Sequence, residues 1–78
     1  MKKLSDIAQE ICEDWDNPYF AAQPYLSAML TMDSINEDYG YDSGRSIVAY
    51  FLSNAATWRG PKAREIKAEL KSMLKKKG

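Results

Sequence analysis

The chain has 78 residues, with 11 basic and 11 acidic side chains, no histidine and a single cysteine. These counts exclude a disulfide framework within one chain, a zinc site of cysteines and histidines, and any histidine-based catalytic triad. The length predicts one helical domain over residues 1–78, and the sequence has no apolar run of the roughly 18 residues that a membrane-spanning helix needs.

The N-terminal segment starts with two lysines, like a signal peptide, but acidic residues from Asp6 onward interrupt the apolar region that should follow. One unpaired cysteine fits a reducing compartment. We therefore expect a cytoplasmic protein.

Charge is distributed unevenly along the chain. Residues 1–44 carry two lysines and nine acids, a balance of −7, and residues 45–78 carry nine bases and two acids, a balance of +7. The simpler interpretation is that the two halves attract each other within the fold, and binding to a partner or to nucleic acid is the alternative. Pairing between two chains, in a homodimer, satisfies the same charges.

The first predicted helix has Ser5 as its cap. Its apolar residues form a helical stripe: Leu4, Ile7, Ala8, Ile11, Cys12 and Trp15. It ends before Pro18, because the residue preceding a proline avoids the α region. Cys12 lies on the stripe beside Glu13 and Asp14, whose charges raise a thiol pKa, so we expect a buried structural cysteine rather than a nucleophile.

A second helix is predicted from Pro24, with an apolar face of Tyr25, Leu26, Met29 and Leu30. Beyond it, Ser34 and Glu37 match a capping box, and Gly40 suits a C-terminal cap, so we expect a short helical turn at residues 34–39.

The third helix is predicted from a cap at Asp42 or Ser43 to about Thr57, and the fourth begins at Pro61. The middle of the third helix is apolar around most of its circumference, which indicates a central buried helix. The fourth has an apolar stripe at Ala63, Ile66, Leu70, Met73 and Leu74. We predict an all-α fold, a compact small bundle of about four helices with helix 3 at its centre.

Two loop motifs resemble ligand sites without matching them. The segment from Gly40 to Ser46 lacks the glycine spacing and the lysine of a phosphate-binding loop, although a helix start of this kind can hold a lone anion. The acidic segment from Asp33 to Asp42 lacks the glycine and glutamate of an EF-hand, which leaves weak cation binding or a solvated loop. No constellation of residues supports catalysis, and we predict no cofactor and no metal.

The basic fourth helix is the candidate nucleic-acid surface. The residues that could contact phosphates are Arg59, Lys62, Arg64, Lys67 and Lys71. The zero net charge and the lack of asparagine or glutamine on this helix weaken the hypothesis, and a solvated basic face is the alternative.

The aromatic residues suggest a protein-binding surface. Trp15, Tyr50, Phe51 and Trp58 lie on helical stripes and are expected in the core. The remaining aromatics, with two neighbouring acids, are the candidate protein-binding residues: Tyr19, Phe20, Tyr25, Asp38, Tyr39, Tyr41 and Asp42. The alternative is that these rings cover the ends of the bundle.

The stretch from Asp33 to Leu74 resembles small uncharacterised proteins of bacteriophages and mobile elements. The segments that carry this resemblance are Asp33 to Ile35, Tyr39 to Gly44, Ser46 to Ala55, Thr57 to Gly60 and Ala63 to Leu70. The resemblance implies a bacterial cytoplasm and an accessory role in phage or plasmid biology, through binding of a host or viral protein. We therefore predict a small non-enzymatic protein-binding protein, with nucleic-acid binding as the alternative and no membrane association.

Overall fold

The computed structural model describes residues 3–75, so the two ends of the predicted 1–78 domain lie outside it. Within that range the chain forms α1 (Leu4–Asp14), α2 (Gln23–Leu30), α3 (Gly44–Ser53) and α4 (Pro61–Lys75). Two short antiparallel strands, β1 (Asp38–Tyr39) and β2 (Asp42–Ser43), precede α3. A mostly helical bundle is confirmed, whereas the strands were not predicted.

The first two helices begin close to their predicted starts. Residue Lys3 precedes α1, and its backbone N–H donates to a carboxylate oxygen of Asp6 at 3.3 Å, so the prediction that Ser5 caps the helix is wrong. A carboxylate in the first turn stabilises the helix dipole. Pro24 lies in the first turn of α2, where its missing N–H costs no hydrogen bond.

The segment between α2 and α3 corrects the predicted helical turn at residues 34–39. Glu37 accepts hydrogen bonds from the backbone N–H groups of Asp33 and Ser34, at 3.1 and 3.0 Å, as a capping-box glutamate does. The chain then turns into β1 instead of continuing as a helix. Gly40 is therefore not a helix cap but the first residue of a two-residue hairpin loop.

The helix α3 ends four residues earlier than the predicted Thr57. Ser53 donates its hydroxyl to the Ala49 carbonyl at 3.1 Å, and Asn54 donates its side-chain amide to the Tyr50 carbonyl at 2.8 Å. Polar side chains that bond to nearby backbone in this way favour a helix end over further helix. Short turns then lead to α4.

The first three helices pack in antiparallel order. The backbone N–H of Leu4 donates to the Asp33 carbonyl at 3.0 Å, which places the start of α1 beside the end of α2. Tyr25, early in α2, has its ring centroid 5.4 Å from that of Tyr50, late in α3. Each chain reversal therefore brings a helix back along its predecessor.

The fourth helix closes the bundle between α3 and α1. The Arg45 guanidinium, at the start of α3, donates to the Leu74 carbonyl near the end of α4 at 2.9 Å. Lys62, at the start of α4, lies 2.9 Å from the Glu10 carboxylate, late in α1. Both contacting pairs are again antiparallel, so α1 and α3 each lie between α2 and α4.

An aromatic cluster fills the core at the end of the bundle where α4 begins. Trp15 stacks on Trp58 with ring centroids 5.7 Å apart, and Phe51 contacts both rings edge to face. The Trp58 indole N–H donates to the Asp14 carboxylate at 2.9 Å, which satisfies its only polar atom. These three rings are buried as predicted, but Tyr50 is 47% exposed, so its assignment to the core is wrong.

Candidate functional site

The hairpin between α2 and α3 presents two tyrosines to solvent. Asp38 pairs with Ser43 and Tyr39 with Asp42, so residues 40 and 41 form the loop. Gly40 has φ = 62°, the left-handed value that a tight hairpin turn with glycine in first position requires. Tyr39 is 47% exposed, and Tyr41, at the tip, is fully exposed.

The hairpin is anchored to the start of α3. The Gly44 N–H donates to the Glu37 carbonyl at 2.7 Å, and the Ser43 hydroxyl accepts from the Ser46 N–H at 3.1 Å. Ser43 is thus the helix cap that the sequence predicted. Gly44 also packs directly on the Ile35 backbone, where a β-carbon would lie 2.5 Å from the carbonyl oxygen. These contacts join the backbone of the hairpin, which carries Tyr41, to the start of α3.

This segment is strongly acidic. Residues 33–42 contain four carboxylates and no lysine or arginine, a local charge of −4. Glu37 is engaged with the backbone, whereas Asp38 and Asp42 are exposed and form no ion pair with any residue between 3 and 75. We call Asp38, Tyr39, Tyr41 and Asp42 the hairpin face.

The other candidate aromatics form a separate group at the opposite end of α3. Tyr19 and Phe20 contact edge to face with centroids 4.9 Å apart, and Phe20 is 74% exposed. Tyr19 also lines a small hollow with Ser53 and Asn54, at the end of α3. The ten residues of α3 span about 15 Å, so these rings lie far from the hairpin at its start.

We call Tyr19, Phe20, Tyr25 and Tyr50 the aromatic patch. Tyr50 belongs to it because its ring packs against Tyr25. Tyr50 lies in an apolar run that is typical of a fully buried helix, and this run wrongly predicts a buried ring. The signal for its exposure is the i, i+3, i+4, i+7 spacing of the buried residues Gly44, Ile47, Val48 and Phe51, a stripe that Tyr50 does not join.

Two of the five candidate phosphate-binding residues have partners within the fold. Lys62 forms an ion pair with Glu10. The hydrogen bond to the Glu10 carboxylate, followed by the negative charge of Glu10, raises the pKa of Lys62. Lys67 donates to the carbonyls of Ala55 and Trp58 at 2.7 and 2.6 Å. Partial burial, followed by the charges of neighbouring cations, lowers the pKa of Lys67.

The other three candidates are Arg59, Arg64 and Lys71. They are exposed and have no carboxylate partner in the described part of the chain. Among residues 3–75, the candidates without a carboxylate partner are therefore two arginines near the start of α4 and one lysine further along it.

The single cysteine is not buried, which corrects the prediction for Cys12. It lies exposed on α1, at the margin of the buried stripe formed by Ile7, Ala8 and Ile11. Partial burial, and then the Glu13 carboxylate, raise the pKa of its thiol. The raised pKa disfavours the thiolate, which is the nucleophilic form of the side chain.

Residues 3–75 hold neither a metal-ligand cluster nor a membrane-spanning helix. In that range no three cysteine, aspartate or glutamate side chains are grouped so as to hold a metal ion. No helix among the described residues has the length and apolar character required to cross a membrane.

Comparison with known proteins gives no match: no protein-family model fits the chain, and neither a curated protein nor a solved structure is significantly similar to it. The resemblance to bacteriophage and mobile-element proteins therefore stays a prediction.

Proposed function

We propose that the protein is a non-enzymatic protein-binding module and that its hairpin face recognises a positively charged surface on a partner protein. The observation that carries this proposal is the fully exposed Tyr41 at an anchored hairpin tip, between the unpaired carboxylates of Asp38 and Asp42. A ring exposed to this degree contributes nothing to the core, so packing does not explain it.

The chemistry of the hairpin face favours lysine or arginine as its counterpart. Tyrosine supplies a large contact area at a low cost in conformational entropy, and it is frequent among the residues that dominate binding energy. Its ring attracts cations, and the two aspartates add complementary charge that speeds association and selects the partner. Since the hairpin is already held in place, binding requires little further ordering.

The cellular setting belongs to the same proposal. An exposed free thiol at Cys12 fits the reducing cytoplasm, and the resemblance implies a phage or mobile element as the source. An accessory protein in that setting would act by binding a host or viral protein.

We also propose that α3 is the central helix of the bundle. This position is supported by Phe51 on α3, which is fully buried and contacts the rings of both Trp15 and Trp58. The same helix is capped by the last hairpin residue, Ser43, so the core and the hairpin face are joined through one rigid element.

The test removes the two hairpin rings and compares partner capture with stability. In Tyr39→Ala/Tyr41→Ala, we expect capture of the partner from the native cell extract to be abolished while the circular dichroism melt hardly moves. The matched control, Tyr19→Ala/Phe20→Ala, removes two exposed rings from the aromatic patch and should retain capture. Loss of capture in the control alone contradicts the proposal, and collapse of the melt in the hairpin variant shows that these tyrosines are structural.

Nucleic-acid binding is the second candidate function, favoured by the unpaired Arg59, Arg64 and Lys71. It predicts fluorescence anisotropy changes with a labelled random-sequence duplex or single strand, and an affinity that falls steeply with salt. Absence of binding at low ionic strength contradicts it.

A further inference from the structure

A basic hollow lies where α3 leads into α4, at the end of the bundle opposite the hairpin face. Its volume is about 300 Å³, and its lining residues are Trp58, Arg59, Gly60, Ala63, Arg64 and Lys67. This volume is at the lower end of the range for small-molecule sites. Three of the six lining residues are cations and none is an acid.

The cations that line the hollow form no ion pair with a carboxylate of residues 3–75. Neither Arg59 nor Arg64 has a carboxylate partner among residues 3–75, and Glu10, which pairs with Lys62, does not line the hollow. The pKa of Lys67 is lowered by partial burial first, then by the charge of Lys71 and then by the charge of Arg59. An anion in the hollow would relieve this repulsion.

Lys67 is the fixed member of the set. Its ammonium group donates two hydrogen bonds to the backbone carbonyls of Ala55 and Trp58, and it lies 5.7 Å from the centroid of the Trp58 ring. An ammonium has three donors, so one N–H remains for a ligand. Arg59 and Arg64 line the same hollow as this anchored charge, and the planar donor pairs of guanidinium groups match phosphate oxygens.

We propose that this hollow binds a phosphomonoester, with Arg59 and Arg64 holding the phosphate oxygens and Lys67 supplying a third charge. A phosphomonoester is close to dianionic at neutral pH, whereas a phosphodiester carries a single charge. Three convergent cations without an acid therefore favour the monoester. The site is independent of the protein-binding proposal, because no residue of the hairpin face lines the hollow.

The test is an NMR titration of the isotope-labelled protein with methyl phosphate and, separately, with dimethyl phosphate. We expect methyl phosphate to give saturable shifts confined to residues 58–67 and to bind roughly tenfold more tightly than the diester. Equal affinity for the two esters, or shifts spread along the whole of α4, overturns the proposal.

Matched variants separate the hollow from general electrostatics. Arg64→Gln and Arg59→Gln should each weaken methyl phosphate binding about tenfold. Lys75→Gln removes the same charge from the same helix, about 12 Å from Lys67, and should change the affinity less than about twofold. Equal losses in Arg64→Gln and Lys75→Gln overturn the proposal, and because these side chains are exposed, all three variants should keep the wild-type melt.

A second binding experiment distinguishes a phosphate at the end of a nucleic acid from the phosphate of a small molecule. A single-stranded oligonucleotide with a 5′-phosphate is compared with the same strand carrying a 5′-hydroxyl. Tighter binding of the phosphorylated strand, lost in Arg64→Gln, supports the hollow as a site for nucleic-acid ends. Equal binding of the two strands, together with methyl phosphate binding, supports a free phosphorylated small molecule instead.

Discussion

Replacing Gly44 with alanine has two opposite effects on the free energy of unfolding. Alanine is favoured over glycine inside a helix by about 1 kcal/mol, and Gly44 has no positive φ that would strain a side chain. However, the new β-carbon would lie 2.5 Å from the Ile35 carbonyl oxygen and 2.9 Å from both its carbonyl carbon and the Met32 methyl. The Met32 side chain can move aside, but the Ile35 backbone is held within the loop.

The packing effect should dominate. Inserting a methylene into a packed interior costs about 1–3 kcal/mol, and the gain in helix propensity is smaller at the first position of α3 than at its centre. We expect Gly44→Ala to lose about 1–2 kcal/mol of unfolding free energy, which lowers the Tm by roughly 4–8 °C per kcal/mol in a domain of this size.

Urea unfolding followed by circular dichroism measures this change. Ser72→Ala, at an exposed position of α4, is the matched control, and there the gain in propensity should appear alone as a small stabilisation of up to about 0.5 kcal/mol. If Gly44→Ala is as stable as Ser72→Ala or more so, the close contact between α3 and the loop before the hairpin is wrong.

Three further results are expected. Phe51→Ala should lose roughly 3–5 kcal/mol in urea unfolding, because the ring is fully buried between two tryptophans, and a loss below about 1 kcal/mol would contradict its place in the core. Cys12 should react completely with iodoacetamide in the native protein, with a rate that rises with pH through a midpoint above the ordinary thiol pKa of 9.0, whereas labelling only after denaturation would show that it is buried. Lys62→Met should have a lower Tm than the wild type at pH values under 10.5, because Glu10 raises the pKa of Lys62. This difference in Tm should vanish as the pH rises through the raised pKa, and a difference that grows at high pH would contradict the ion pair.

The regular helices are the part of the fold that the sequence predicts well. Helix α4 begins at Pro61, as expected, and α1 begins at Leu4, two residues before the start that a cap at Ser5 predicts. The buried residues of both helices follow the helical apolar spacing. Helical periodicity repeated over several turns is a strong signal, and proline marks a first turn clearly.

The hairpin lacks such a signal. Strands of two residues are too short to show alternation. Only half of the predicted capping box forms, because Glu37 accepts from the Ser34 N–H whereas the Ser34 hydroxyl accepts from the Asn36 N–H, and no helix follows. Only Gly40, between two tyrosines, indicates the turn, and a glycine there fits a helix cap equally well.

Errors at single residues arise where contacts between distant segments decide exposure and pairing. The apolar spacing of α1 includes Cys12, but the side chain lies exposed at the margin of the buried stripe. The two hydrogen bonds of Lys67 depend on the turns after α3, which place the carbonyls of Ala55 and Trp58 beside α4. Contacts between segments distant in sequence do not appear in local periodicity, so the basic residues were treated as one surface.

The hairpin face is the central claim, and site-specific photocrosslinking tests it most directly. A photoreactive phenylalanine analogue would be placed at position 41, with Ser72 on α4 as the control position, in the cell that makes the protein. We predict one dominant protein adduct from position 41, none of the same mass from position 72, and loss of that adduct in Asp38→Asn/Asp42→Asn. The same adduct from both positions, or from neither, would contradict a partner-binding hairpin.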